Sequence, residues 1–206
     1  MLKNFTTQFP YYCSIFVYRQ RLSLSKLNSV LSACGHFPVG HRLGSIIVRQ
    51  INEDQLIRDP NEVAMFLAQL IHESGGFKYR KEIGGGAGQD YGSRYCGRGF
   101  IQLTWEMNYR TASRVIFGDD RLVLNPDLVS DSDELSMAVS VCFWEMLVRP
   151  EDGPRENKFG MTTRAINPIE AVLFLCSIVV RTVFYGVYCP GSHAEFVLPR
   201  TIFRAH

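Results

Sequence analysis

The stretch DPNEVAMFLAQLIHESGGF, residues 59–77, constrains the fold more than any other part of the chain. Asp59 is a good helix N-cap, Pro60 suits the first helical position, and Glu62 completes a capping-box pattern three residues on. Val63, Phe66, Leu67, Leu70 and Ile71 recur at helical spacing, and Gly75-Gly76 stops the run. The spacing therefore predicts a core helix that ends on a carboxylate, Glu73. A second glutamate, Glu82, follows beyond the glycines.

The rest of the chain reads as helical around this element. Residues 23–33 form a short helix with Leu24, Leu27, Val30 and Leu31 on one side, and residues 35–44 read as loop. Residues 84–99 are a glycine-rich loop without GxxxxGK[ST], which argues against a phosphate loop. FIQLTW, 100–105, reads as a short buried strand or extended segment. A helix follows from about Glu106 to Phe117, closed by Gly118. Residues 125–147 read as a turn and then one long, largely buried helix capped by Asp131 or Ser132. Residues 151–160 are loop, and TTRAIN is a short helical turn.

Composition limits the function classes. With 206 residues, 46% hydrophobic, the chain is expected to fold as one domain with a sizeable core. A formal charge of +2 gives no reason to expect nucleic acid or an anionic membrane as partner. None of the six cysteines forms a CxxC or other metal-ligand spacing, so no metal is expected. Cys142, inside an apolar helical pattern, reads as a free core thiol. Residues 171–189 have about the length of a membrane span, but Arg181 lies at their centre. A central charge costs about 2.5–3.5 kcal/mol on insertion scales, which favours a buried helix instead. Residues 1–10 make a poor signal-peptide n-region, and no clear signal peptide is visible.

The two glutamates differ in setting. Glu73 falls on or beside the apolar face of its helix, at the end where the macrodipole disfavours negative charge. Both effects favour a protonated carboxyl suited to general-acid work. Position alone is equally compatible with a glutamate that snorkels past the helix end. Glu82 belongs to a loop and is flanked by Arg80 and Lys81, which favour its ionised form; taken alone it also reads as a solvated loop charge. An ionised carboxylate facing a protonated one is the arrangement of an inverting glycosidase.

Further motifs weigh on that choice. HESGGF (72–77), YCGRGFIQLTWEMNY (95–109), NPDLV (125–129), FW (143–144) and FGMTTRAIN (159–167) occur in an order that resembles glycoside hydrolase family 19. That family comprises chitinases and related phage and bacterial lysins. The resemblance covers roughly residues 60–190; residues 1–58 match only vaguely and 168–206 diverge. It implies an α+β, mainly helical lysozyme-like fold with a small extended element and a cleft between two lobes.

The resemblance also implies roles. Glu73 matches the general acid and Glu82 the general base, and Thr104 matches the hydroxyl that helps hold the attacking water. His72, Tyr95, Gln102, Asn108, Asn167 and Arg181 match substrate-binding positions, and Arg98 matches a structural residue of the Gly-Arg-Gly turn. The expected reaction is endo-hydrolysis of β-1,4-linked N-acetylglucosamine polymers, with chitin or chito-oligosaccharides as partner and no cofactor. The chain is expected to be a secreted monomer. A peptidoglycan-cleaving lysin and a non-catalytic chitin-binding protein are the alternatives. Two departures stand out: Ile-Asn-Gly of the family is Ile166-Asn167-Pro168 here, and the short segment between Trp144 and Phe159 implies a trimmed cleft.

Overall fold

The computed structural model describes residues 21–54 and 56–167. Eight α-helices are formed among them: α1 (Leu24–Ala33), α2 (His41–Glu53), α3 (Pro60–Glu73), α4 (Glu106–Phe117), α5 (Arg121–Leu124), α6 (Leu128–Asp131), α7 (Asp133–Phe143) and α8 (Phe159–Ile166). The helix that the sequence marks best, α3, is the axis. Every residue from Glu62 to Ile71 is buried, so neighbours cover it on all sides and not on one face alone.

The Asp59 carboxylate caps α3 by accepting from the amides of Asn61 and Glu62. Glu62, expected to close a capping box, turns inward instead. Its Oε1 accepts from Trp144 Nε1 at 3.1 Å and from Arg149 Nε at 3.0 Å. Burial pushes this carboxyl above its ordinary range, against the opposing pull of Trp144 and Arg149. Midway along α3, Gln69 Nε2 donates to Thr162 Oγ1 and Thr163 Oγ1, both at 2.9 Å, and so ties α8 to the axis.

One expectation about the N-terminal part changes. The segment 35–44, read as loop, runs into α2 at His41. Gly44 lies inside that helix because α1 crosses it closely: a Cβ there would stand 2.2 Å from Leu24 Cδ1. Within 125–147 the expected turn carries the short helix α6, and the helix expected to be capped by Asp131 or Ser132 is α7, which ends at Phe143. Ser132 takes an extended conformation between α6 and α7, and its side chain caps α7 by accepting from Leu135 N. A π-helical turn, Trp144–Val148, then follows α7 and packs Trp144 against Phe66 in a tilted contact, with ring centroids 5.1 Å apart.

The α4 bounds agree with expectation, and Gly118 ends the helix at φ 76°. Cys142 is a buried free thiol, pushed by burial up to about 11. FIQLTW does not form a strand. Among the described residues extended pairing is confined to two isolated antiparallel bridges, Lys81 to Arg98 and Arg98 to Leu103. No described helix is long and apolar enough to cross a membrane. Arg181, the whole segment 168–206 and residues 1–20 lie outside the described residues.

Glu145, half-buried on the π-helical turn, generates a pH dependence. Burial first, then the charge of Asp54 and a hydrogen bond with it, push the carboxyl up to about 7; Arg149 opposes and Glu62 adds to the rise. The folded chain therefore holds this proton more tightly than the unfolded chain, where the group titrates near 4.5. The stability contribution is complete below that ordinary value and is lost as pH rises through about 7. Urea midpoints of the wild type should fall across about pH 5–8. The Glu145→Gln variant should show a flatter profile over the same window; an identical slope would remove Glu145 as the cause.

Candidate functional site

The site grows from the stop signal of α3. Ser74 is buried; its hydroxyl donates to the Leu70 carbonyl and accepts from Phe77 N at 2.7 Å. Gly76 adopts φ +75° and donates its N–H to the Ile71 carbonyl at 2.7 Å. A Cβ at Gly76 would lie 2.6 Å from the His36 ring, so glycine is required by space as well as by conformation. The turn leaves Glu73 half-buried as the last residue of α3, with His72 exposed beside it. Phe77 then locks the chain onto the core through an edge contact with Phe100, at 5.2 Å between centroids.

Residues 80–82 next run antiparallel to 97–99. Glu82 N donates to the Gly97 carbonyl at 2.8 Å, and Gly99 N donates to the Arg80 carbonyl at 2.9 Å. This pairing fixes the carboxylate of Glu82. Oε1 accepts from the Tyr91 hydroxyl and Oε2 from the Gly97 amide, each at 2.9 Å. Burial first, then Glu82, push the Tyr91 hydroxyl up to about 12, so it remains a donor at neutral pH. Arg80 and Lys81, expected to favour the ionised form of Glu82, are engaged elsewhere: Arg80 pairs with Asp133 at 2.9 Å and Lys81 with Asp127 at 2.8 Å.

Gln102 closes the other side of Gly97. It takes φ +52° and donates Nε2 to the Gly99 carbonyl at 3.0 Å. A Cβ on Gly97 would meet Gln102 Oε1 at 2.7 Å and Glu82 Cβ at 3.3 Å, so Gln102 and Glu82 flank this glycine. Thr104 is half-buried, and its carbonyl accepts from Asn108 Nδ2 at 2.9 Å. Asn108 thus spends an amide proton on the start of α4. Tyr95 packs its ring against Tyr109, and its hydroxyl lies 3.5 Å from the Val123 carbonyl. Asn167 caps the end of α8, with its N–H on the Thr163 carbonyl at 2.7 Å.

The expected site residues thus fall into two groups. Glu82, Gln102, Thr104 and Asn108 surround the turn from Gly97 to Trp105. His72 and Glu73 end α3, while Asn167 ends α8, the helix that Gln69 joins to α3. The turn 74–81 connects the groups through the chain. Arg181 lies outside the described residues. Arg98, expected to be structural, is buried and makes no contact with Glu82 through its side chain among the described bonds. Two residues escaped the sequence reading, Tyr91 and Gly97, which hold the Glu82 oxygens. The available signal was an aromatic side chain, Tyr91, inside an otherwise small and polar loop.

Comparison with known proteins agrees with this architecture. Chitinase C from Streptomyces griseus HUT6037 superposes with a TM-score of 0.54 at 24% identity, covering 79% of this chain and 88% of that one. The fold is accordingly the mainly helical, lysozyme-like fold of family 19 chitinases. In sequence, the family described as chitinase class I matches residues 87–164. An endochitinase of Arabidopsis thaliana is 40% identical over 114 residues, 52% of this chain and 38% of its own length. A basic endochitinase of Brassica napus is 36% identical over 121 residues, 53% of this chain and 43% of its own length. Residues 87–164 are thus similar to the chitinase class I family, and the matched part of the chain is similar to these plant endochitinases. It spans about two fifths of the length of these plant relatives. The segment matched by the family, 87–164, contains Tyr95, Gln102, Thr104 and Asn108 and begins after both glutamates.

The packing around Gly97 gives a direct test. Gly97→Ala should lower the unfolding free energy by about 1–3 kcal/mol, because the methyl group displaces Gln102 and crowds Glu82. Urea denaturation measures the loss. A variant as stable as the wild type would show that the turn relaxes without cost.

Proposed function

We propose that the chain is an inverting endo-chitinase that cleaves β-1,4 bonds between N-acetylglucosamine units. The observation that carries this reading is the fixed carboxylate of Glu82, held at both oxygens beside Gln102, one turn away from the helix that ends in Glu73. An ionised carboxylate offers about four acceptor positions. Tyr91 and Gly97 fill two, which leaves two for water.

In this reading Glu73, as general acid, protonates the glycosidic oxygen. The bond from the anomeric carbon to that oxygen breaks as water attacks the opposite face. Glu82 accepts the proton lost by the water, and Thr104 orients it. The product is the α-anomer, and the acid and base return to their starting states by exchanging protons with solvent. The mechanism requires about 6.5–9.5 Å between the carboxyls to admit the water. A cleft between two lobes, with a small extended element on one wall, would seat the polymer. His72, Tyr95, Gln102, Asn108, Asn167 and Arg181 would line it. No metal or organic cofactor takes part, and the protein acts outside the cell as a monomer.

Two measurements test the proposal. Proton NMR during hydrolysis of chitohexaose should show the α-anomer first; a β-anomer first would contradict inversion. Glu73→Gln and Glu82→Gln should each lower kcat by about 10²–10⁴-fold, and full activity of either would reject its role. Tyr91→Phe removes the donor to Oε1 but retains the ring, so kcat should fall about tenfold with KM unchanged.

A further inference from the structure

Two backbone bonds close the end of α3. Gly75, just past the helix cap Ser74, takes φ +59° and donates its N–H to the His72 carbonyl at 3.2 Å. Gly76 reaches one residue further back, to the Ile71 carbonyl. A paired stop of this kind is commonly completed by an apolar contact from the side chain at the Gly76 position to the last turn of the helix. Glycine has no side chain to make that contact. The His36 ring fills the space from another part of the chain. Its Cγ and Nδ1 stand 2.6 and 2.7 Å from the point that a Cβ on Gly76 would occupy.

His36 is held on both sides. Its N–H donates to the Leu31 carbonyl at 2.8 Å, at the end of α1, where Leu27, Val30 and Leu31 are buried. Further on, Asn28 grips the backbone of Val39. Its Oδ1 accepts from the Val39 N–H at 2.9 Å, and its Nδ2 donates to the Val39 carbonyl at 3.3 Å. Phe37 and Pro38 lie between, and the proline ring fixes its own φ. Phe37 is 91% exposed, so this loop turns the imidazole, and not the phenyl ring, onto α3. Moving the imidazole away from Gly76 would strain the bonds that tie the loop to α1.

Resting on the chitinase reading above, we infer that His36 is a positioning residue for Glu73. Glu73 is the last residue of α3, so its direction depends on the two bonds that close the helix. His36 covers the second of these bonds by packing a flat ring on bare backbone. It acts through Gly76 and needs no contact with the substrate. A misplacement of about 1 Å can cost about 10²-fold in rate.

Chitohexaose kinetics test this with two substitutions. His36→Ala should lower kcat about tenfold and leave KM within about twofold, because the loss falls on the transition state. His36→Phe refills the space with a flat ring and should bring kcat back to within about twofold of the wild type. A wild-type kcat in His36→Ala rejects the inference and leaves the chitinase reading standing. A His36→Phe variant as slow as His36→Ala does the same. A wild type that does not cleave chitohexaose rejects both. Amide hydrogen exchange of the wild type covers the case in which His36→Ala does not fold. The Gly76 N–H should exchange as slowly as amides in the buried turns of α3; exchange at the rate of exposed loop amides overturns the inference.

Discussion

A buried guanidinium organises the part of the structure that holds the candidate site. Arg98 is 3% exposed. Its Nε donates to Asp127, and its Nη1 donates to the carbonyls of Arg94 and Cys96 and to the Tyr109 hydroxyl. Burying such a charge costs several kcal/mol unless its protons find acceptors, and here a cluster of them converges on it. Asp127 is itself half-exposed and shared with Lys81, so much of the compensation comes from the carbonyls and the phenol. Burial pushes the Tyr109 hydroxyl up against the pull of Arg98. It stays protonated, accepts from Arg98 and donates to the Cys96 carbonyl at 2.7 Å. The backbone of Arg98 meanwhile bridges to Lys81 on one side and Leu103 on the other. One residue thus sets the path of 80–82, 94–99 and 103, and with it the positions of Glu82, Gly97 and Gln102.

This organisation explains what could be read from the sequence and what could not. The helices α3 and α4 were legible because their ends carry local signals: Asp59 and Pro60 at one start, Gly118 at one stop. Ser132 was legible as a cap for the same reason, although the short helix α6 before it was not. The helix α2 was missed because Gly44 mimics a turn residue, whereas its role is to admit Leu24 from another helix. FIQLTW has the apolar content of a strand, yet Gln102 and Trp105 both take positive φ and coil the segment back toward Arg98. That conformation is held by the backbone pairing of Leu103 with Arg98 and by Gln102 Nε2 on the Gly99 carbonyl, which no apolar periodicity records.

The candidate site divides along the same line. That Glu73 ends a core helix follows from periodicity and a glycine stop. What holds Glu82 does not, because Arg80 and Lys81 beside it in sequence pair with Asp133 and Asp127 in space. Its real partners, Tyr91 and the Gly97 amide, lie nine and fifteen positions away. Neutralising charge was the plausible role for two adjacent cations, but antiparallel pairing turns Lys81 to the face opposite Glu82, and Arg80 is taken by Asp133.

The two glutamates are consequently positioned by different physics. Glu73 is fixed by a helix whose preceding turns are buried on every side, so moving it requires disturbing the core. Glu82 is fixed by hydrogen bonds from a glycine-rich loop with exposed positions at Ile83, Gly84 and Ala87 to Asp90. Segments with few buried apolar contacts open at lower free-energy cost than the core they attach to. A fluctuation that releases Tyr91 would therefore free Oε1 of Glu82, while Oε2 keeps the Gly97 amide and Glu73 stays in place. The two carboxylates thus sit on elements of different rigidity, Glu73 on the core helix and Glu82 beside the adjustable loop.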